Sequence, residues 1–569
     1  MEQIVGIRNH KLKAGVNTMT INKEIDKKID EVQPMYENIF KKEDGVYTIY
    51  KEKDNQVVEK KIARLIKISK TKVYIDDQTQ KSYICFDNRY KFVEKEISRC
   101  EYLNAKNLLK YQKYGLDVMP DTSHAISKHL RNEEDIAKKE FTHNKLGFGV
   151  YGDELIYKLD KSTGINSLYS GELEIQPKGS IQGWIDMFTQ HILGNSYLEF
   201  ICMSSLSSIV LGYLGEQLSL DSMIVHIYGN SSTGKSTALK LAISMFGYPD
   251  VNKNGLYSNF NSTENALLRK VSGTIGVPFA FDEISMSNLS NPTKLIYKLA
   301  NGKDKARLNK SLEQEKADIW NTVILTNGEK SLIKSSDKNA GVQVRVVEIG
   351  NVTWTKDAIN SDTINRAILE NYGYVGFEFA KYVMKIGKEK LVEIYNKTVI
   401  KLNKFFKNNS VYDEFTARRS NKFALIMVTL TLFKKMFKLS IDNNEILKIL
   451  LEIEKESIKS RNFNKSALDY IKQYISSNGS KFVYFDRESD TKDYLGKLNK
   501  KGDYTELVIT PIAFEKILKE GGFEDTNVVL KEFKKNGTLN CESDRFTRKR
   551  QLEKGITTNV YVINLKNED

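Results

Sequence analysis

Proline and cysteine are scarce, 7 and 4 in 569 residues, and no Gly/Ser, Pro or Gln tract marks a long disordered linker. The cysteines, Cys85, Cys100, Cys202 and Cys541, lie far apart, with no CxxC and no Cys/His pair at ligand spacing. That excludes a readable zinc ribbon or disulfide framework and fits a reducing cytoplasm. The start, MEQIVGIRNH, lacks the charged-then-apolar layout of a secretion signal. The most apolar stretch, Tyr197 to Gly215, carries Glu199 and several serines, so it reads as a buried helix rather than a membrane span. A soluble protein without a membrane partner is expected.

What is abundant is positive charge. The formal balance of +14 favours a polyanionic partner, although a general lysine bias would give the same figure. The length exceeds what one hydrophobic core serves and suggests roughly three or four domains.

Residues 1–110 alternate apolar and polar positions in VYTIY (Val46 to Tyr50), KVYID (Lys72 to Asp76) and SYICF (Ser82 to Phe86), the period of half-buried strands. This region is expected to be β-rich; Asp76 and Asp77 read as turn residues, not as a metal pair. Residues 111–178 mix short helices with a hairpin-like LGFGVYGDELIYKL. From Gly179 to residue 356, helical periods alternate with the apolar runs MIVHIY, VPFAF, NTVILT and VRVVEI, which predicts an α/β fold with a parallel sheet covered by helices on both faces. Residues 357–465 are almost wholly helical in period. Residues 466–569 run helix, helix, strand pair, with Gly521 to Phe523 as the turn, the order of a winged helix.

GNSSTGKS, Gly229 to Ser236, follows an apolar strand and opens a helical stretch, the context in which G-x-x-x-x-G-K-S is a phosphate loop. Gly229 and Gly234 let the backbone curl, so that Asn230, Ser231, Ser232, Thr233 and the adjoining Thr237 surround phosphate oxygens at a helix N-terminus. Lys235 would reach the β- and γ-phosphates of ATP, and Ser236 would hold Mg²⁺. The next strand ends in Asp282 and Glu283. At a strand C-terminus of such a sheet, the first suits Mg²⁺ through water and the second suits a base for the attacking water. Asn327 ends the third run, where an amide can orient water. Arg345 opens the fourth run and is the candidate arginine finger acting on a neighbouring subunit. Arg418 and Arg419, at the start of an amphipathic helix, are candidates for phosphate contact from a lid.

In that order these features look like an AAA+ module. GWIDMF (Gly183 to Phe188), HIYGNSSTGKSTALKLAISMFG (His226 to Gly247), STENALLRKVSG (Ser262 to Gly273), FDEIS (Phe281 to Ser285), LANGKDKARLNK (Leu299 to Lys310) and NKFALIM (Asn421 to Met427) resemble the MCM-like helicases of staphylococcal cassette chromosome elements, called Cch. The resemblance runs from about residue 110 to the C-terminus. The hydrophobic periods divide the chain into a β-rich N-terminal domain (1–110), a connecting region (111–178), an α/β core (179–356) that the resemblance makes an AAA+ core, a helical lid (357–465) and a winged-helix domain (466–569). The resemblance also implies a hexameric ring that hydrolyses ATP between subunits and translocates on single-stranded or forked DNA, replicating a mobile element. The arginine departs from the family pattern, since Arg345 lies in VRVVEI and not in Ser-Arg-Phe-Asp.

In the MCM-like group a β-hairpin precedes the third strand, and NGKDKARLNKSLEQEKADIW, Asn301 to Trp320, occupies that place. Lys303, Lys305 and Arg307 share one face of an extended strand, with Lys310 following, so the ribbon would bring cations to a sugar-phosphate backbone. Glu313, Glu315 and Asp318 make the returning half acidic. In the tail, Arg548, Lys549 and Arg550 are candidates for DNA contact, although residues 501–569 hold twelve cations against twelve anions. The first hundred residues are a candidate for binding DNA or a small accessory protein, and an initiator is a further candidate partner of the chain. Two rivals remain at this point: a protein remodeller, whose pore usually offers an aromatic-hydrophobic pair, and a DNA-bound initiator that does not unwind.

Overall fold

The computed structural model describes residues 36, 38–52, 56–259, 263–283, 292–303, 319–336, 340–460, 463–485, 494–523, 525–553 and 556–566. The chain divides into two compact units, Met1–Glu172 and Leu173–Asp569.

In the first unit, Ile39–Lys42, Gly45–Lys51 and Val57–Arg64 pair as an antiparallel sheet, and Ile66–Tyr74, Gln80–Asp87 and Phe92–Ser98 belong to a five-stranded mixed one. The strands contain VYTIY, most of KVYID and SYICF, and their inward residues Ile66, Ile68, Ile84 and Phe86 form a core with Ile126 and Leu130 of the helix Ser123–Ile136. The hairpin-like segment is a hairpin, Gly147–Tyr151 against Glu154–Lys158. Asp76 does more than turn the chain. It pairs with Lys158 and accepts the backbone N–H of Asn144 (2.7 Å) and Lys145 (3.0 Å), tying that hairpin to the sheet.

The second unit is built on a parallel sheet of β1 (Met223–Tyr228), β2 (Tyr257–Asn259), β3 (Phe279–Asp282), β4 (Val323–Gly328) and β5 (Val346–Gly350), in the order β2-β3-β4-β1-β5. Nearly every residue of β1, β3 and β4 is buried, as both faces of such a sheet are covered. One covering helix, Ser196–Leu218, is long and apolar enough to cross a membrane, and its apolar stretch is 94% buried inside this fold. It packs against the long helix Glu414–Phe437, one of a run of five that begins at Ala358 and ends at Ser460.

The C-terminal part has a core of its own, from Ala467 to Leu565. The helices Pro511–Glu520 and Thr526–Lys535 flank the turn at Gly521 to Phe523, and Arg548–Glu553 pairs with Ile556–Lys566 as an antiparallel strand pair. Before them stands a second hairpin, Gly496–Lys501 with Tyr504–Ile509, which completes a five-stranded sheet with Phe482–Tyr484.

Candidate nucleotide site

The loop after β1 curls because Gly229 and Gly234 take φ of 140° and 86°. A side chain at Gly234 would also place its Cβ 2.5 Å from Thr355 Oγ1, so the position excludes one twice over. Gly234 caps the helix Lys235–Ser244, whose N-terminal N–H groups therefore face the loop. Lys235 Nζ donates to the carbonyls of Gly229 (2.9 Å) and Asn230 (2.6 Å) across the mouth of the loop, and burial lowers its pKa.

Two strand ends and one side chain from a third strand meet this loop. Ser236 Oγ donates to Asp282 Oδ1 at 3.2 Å, and the other carboxylate oxygen accepts the hydroxyl of Tyr257, the first residue of β2. Burial and the Asp282 charge push the Tyr257 phenol upward. Asn327 Nδ2 reaches Ser236 Oγ at 3.4 Å, while its Oδ1 accepts the backbone N–H of Glu283 at 2.6 Å. Glu283 is exposed and takes φ of 58°, a left-handed conformation. The oxygen donors Ser236 and Asp282 fit Mg²⁺, which is commonly held by one or two carboxylates together with substrate phosphates.

Around these residues lies a cavity of about 690 Å³ lined by Ser231 to Thr237, Glu283 and Asn327 to Lys330 on one side. Its other wall, Thr353 to Asp362, follows β5 and carries no motif that the sequence reveals. The wall is fixed to the loop: Trp354 N–H donates to Thr233 O at 2.8 Å, and the Thr237 and Ser361 hydroxyls are 2.6 Å apart. It can face the sugar and base of a nucleotide whose phosphates lie on the loop. His226 of β1 is buried between Thr326 Oγ1 (2.8 Å) and the Lys330 carbonyl (3.0 Å), and burial lowers its pKa, so it is a neutral tie between strands.

Other candidates fall elsewhere. Arg345 ends the helix Ala340–Arg345 and precedes β5, at the opposite end of the sheet from its own phosphate loop. Its Nη1 donates to Gly341 O at 3.1 Å and Nη2 to Asn301 Oδ1 at 3.3 Å. The expectation that Arg419 contacts phosphate is corrected. It is 1% exposed, ion-paired with Glu454 at 2.7 Å, and donates to the carbonyls of Gln343 and Val346. A buried guanidinium with those partners is committed to holding the fold. Arg418, beside it, is exposed.

Lys303 pairs with Ile319 as an antiparallel bridge, and Trp320 N–H donates to Gly302 O at 2.9 Å, so the ribbon leaves the body on two adjacent arms. Trp320 is buried and anchors the root through Nε1 to Leu299 O at 2.8 Å. Lys305, Arg307, Lys310, Glu313, Glu315 and Asp318 lie outside the described residues. In the tail, Arg548, Lys549 and Arg550 occupy one strand; Lys549 therefore points to the face opposite the other two. The helix Thr526–Lys535 presents exposed Asn527, Lys531 and Lys535, which the sequence reading did not single out.

Residues 39–317 match a family described as a domain of unknown function, DUF927, and residues 462–568 match the Cch helix turn helix domain. A solved structure described as "SCCmec type IV Cch - active helicase" is similar with a TM-score of 0.75 at 23% sequence identity, covering 94% of this chain and 98% of that one. Among curated proteins none matches. The likeness to Cch therefore holds for the fold of nearly the whole chain, and its C-terminal domain is of the Cch helix-turn-helix type.

Proposed function

We propose that this chain is an ATP-driven DNA helicase of the AAA+ type, working as a ring, in the cytoplasm, on DNA of a mobile element. The observation that carries the reading is the convergence of Lys235, Ser236, Asp282, Glu283 and Asn327 at one edge of a parallel sheet, with a cationic ribbon inserted between β3 and β4. The sheet order supports an AAA+ core, and the end-to-end similarity to a structure described as an active Cch helicase supports DNA unwinding.

In this reading Lys235 and the loop amides bind the triphosphate, and Ser236 and Asp282 hold Mg²⁺, which neutralises phosphate charge. Tyr257 fixes Asp282. Glu283 takes the proton of the attacking water that Asn327 orients, and Arg345 serves the site of a neighbouring subunit. Lys303, Lys305, Arg307 and Lys310 contact the DNA backbone, while Arg548, Lys549, Arg550 and the helix Thr526–Lys535 form a second DNA surface in a winged helix. A closed ring follows from the need for a trans arginine in each site, and six subunits is the size that the resemblance to MCM-like helicases implies.

The test is ATP hydrolysis and strand displacement on a forked duplex. Lys235→Ala is expected to lose both activities, and Lys305→Ala/Arg307→Ala to lose displacement and DNA stimulation while retaining basal hydrolysis. A ribbon variant that unwinds like the parent removes the pore assignment. Hydrolysis indifferent to DNA, with no strand displaced, favours the initiator or protein-remodelling alternatives.

A further inference from the structure

Arg345 is held from two directions. Its guanidinium lies 4.4 Å from the Tyr297 ring centroid and donates to Asn301 Oδ1, both on the helix Thr293–Asn301 and one turn apart. That helix stops at Gly302, φ 67°, and the next residue is Lys303, whose bridge to Ile319 closes the ribbon root. The peptide of Arg345 is fixed separately, by Lys422 Nζ to Arg345 O at 2.9 Å and by Arg419 to the carbonyls on either side.

The backbone is thus anchored, whereas the side chain rests on an aromatic face, a carbonyl and a neutral amide oxygen. A phosphate offers the guanidinium an opposite charge and bidentate acceptors where Asn301 offers one neutral oxygen, so it can take the guanidinium from Asn301. We infer that Asn301 couples the ribbon root to the nucleotide of a neighbouring subunit, holding Arg345 until the neighbour's γ-phosphate recruits it. This rests on Arg345 acting in trans. Lys422 and Arg419 are positioning residues in the same device, because they keep the Arg345 peptide in place while its side chain changes partner.

The experiment measures the affinity of the full chain for a labelled single-stranded oligonucleotide, with and without a slowly hydrolysed ATP analogue. The ratio of the two affinities is the coupling between nucleotide and DNA. The parent is expected to show a ratio of about 5 or more. Asn301→Ala should bring the ratio toward one, and Asn301→Gln, a neutral amide that can still accept from Nη2, should keep most of it. Asn301 is exposed, so neither change disturbs the core. The parent ratio retained in Asn301→Ala, or lost equally in both variants, overturns the inference. Arg345→Ala that hydrolyses ATP like the parent removes the trans reading itself, a failure seen independently of either Asn301 variant.

Discussion

The amide of Glu283 donates to Asn327 Oδ1 at 2.6 Å, so the end of β4 sets the conformation of the residue that leaves β3. A glutamate at φ 58° carries backbone strain of about 1–3 kcal/mol, and this bond offsets part of it. Asn327→Ala should therefore displace Glu283 as well as remove an amide from the water. In steady-state assays kcat is expected to fall about 100-fold with the KM for ATP nearly unchanged. A rise in KM alone would place Asn327 in ground-state binding.

Tyr257→Phe removes the hydroxyl that fills one oxygen of Asp282. Loss of one hydrogen bond to a charged group costs about 1.5–3 kcal/mol, so the Mg²⁺ concentration for half-maximal hydrolysis should rise by roughly tenfold or more. The check is a Mg²⁺ titration at saturating ATP. An unchanged midpoint would make the contact incidental.

How far these features were legible varies with their physical basis. Runs such as MIVHIY are apolar on both faces and announce a buried parallel strand, and the phosphate loop has a fixed spacing. Tyr257 was not found, because β2 spans three residues and too short a period cannot stand out from a loop. The hairpin Gly496–Lys501 with Tyr504–Ile509 was also missed: four polar residues in its first strand mask the alternation, and the turn at Gly502–Asp503 was not singled out. Arg419 failed for another reason. Its partner Glu454 lies on a different helix, 35 residues on, and no local pattern distinguishes an arginine bound for phosphate from one bound for a buried carboxylate.

The Arg419–Glu454 pair gives a stability test. Arg419→Met takes the guanidinium from Glu454, a fully buried carboxylate that also accepts from Thr416, and is expected to destabilise the fold by about 3–5 kcal/mol. Arg419→Met/Glu454→Leu should recover much of that loss, because the buried carboxylate goes together with the guanidinium that balanced its charge. Denaturant unfolding of both variants is the measurement. A double variant as unstable as the single one would show that the carbonyl contacts to Gln343 and Val346 dominate.

Burial pulls the Lys422 ammonium from 10.5 down to about 7. Between these values the unfolded chain binds the extra proton, so stability from this group rises with pH; the cost of burying the charge is fully present below pH 7 and fades toward 10.5. Lys422→Met removes that cost but also the donors to Arg345 O and Ser222 O at every pH. The Tm of the variant minus that of the parent should therefore be most favourable at or below pH 7 and decline as pH rises to 10. A difference that does not change across this range would mean that the lysine is not desolvated.

The rung between Lys303 and Ile319 has a consequence for timing. One arm of the ribbon continues the helix that touches Arg345; the other runs straight into β4 and ends at Asn327. In the ring proposed above, the first arm would answer to the nucleotide of the neighbour and the second to the subunit's own. Each ribbon then reports a comparison of two adjacent sites rather than the state of one, and so marks a boundary between unlike neighbours. Such a boundary could pass around the proposed ring one subunit at a time, which would give the order of firing a structural origin without any signal crossing the whole assembly.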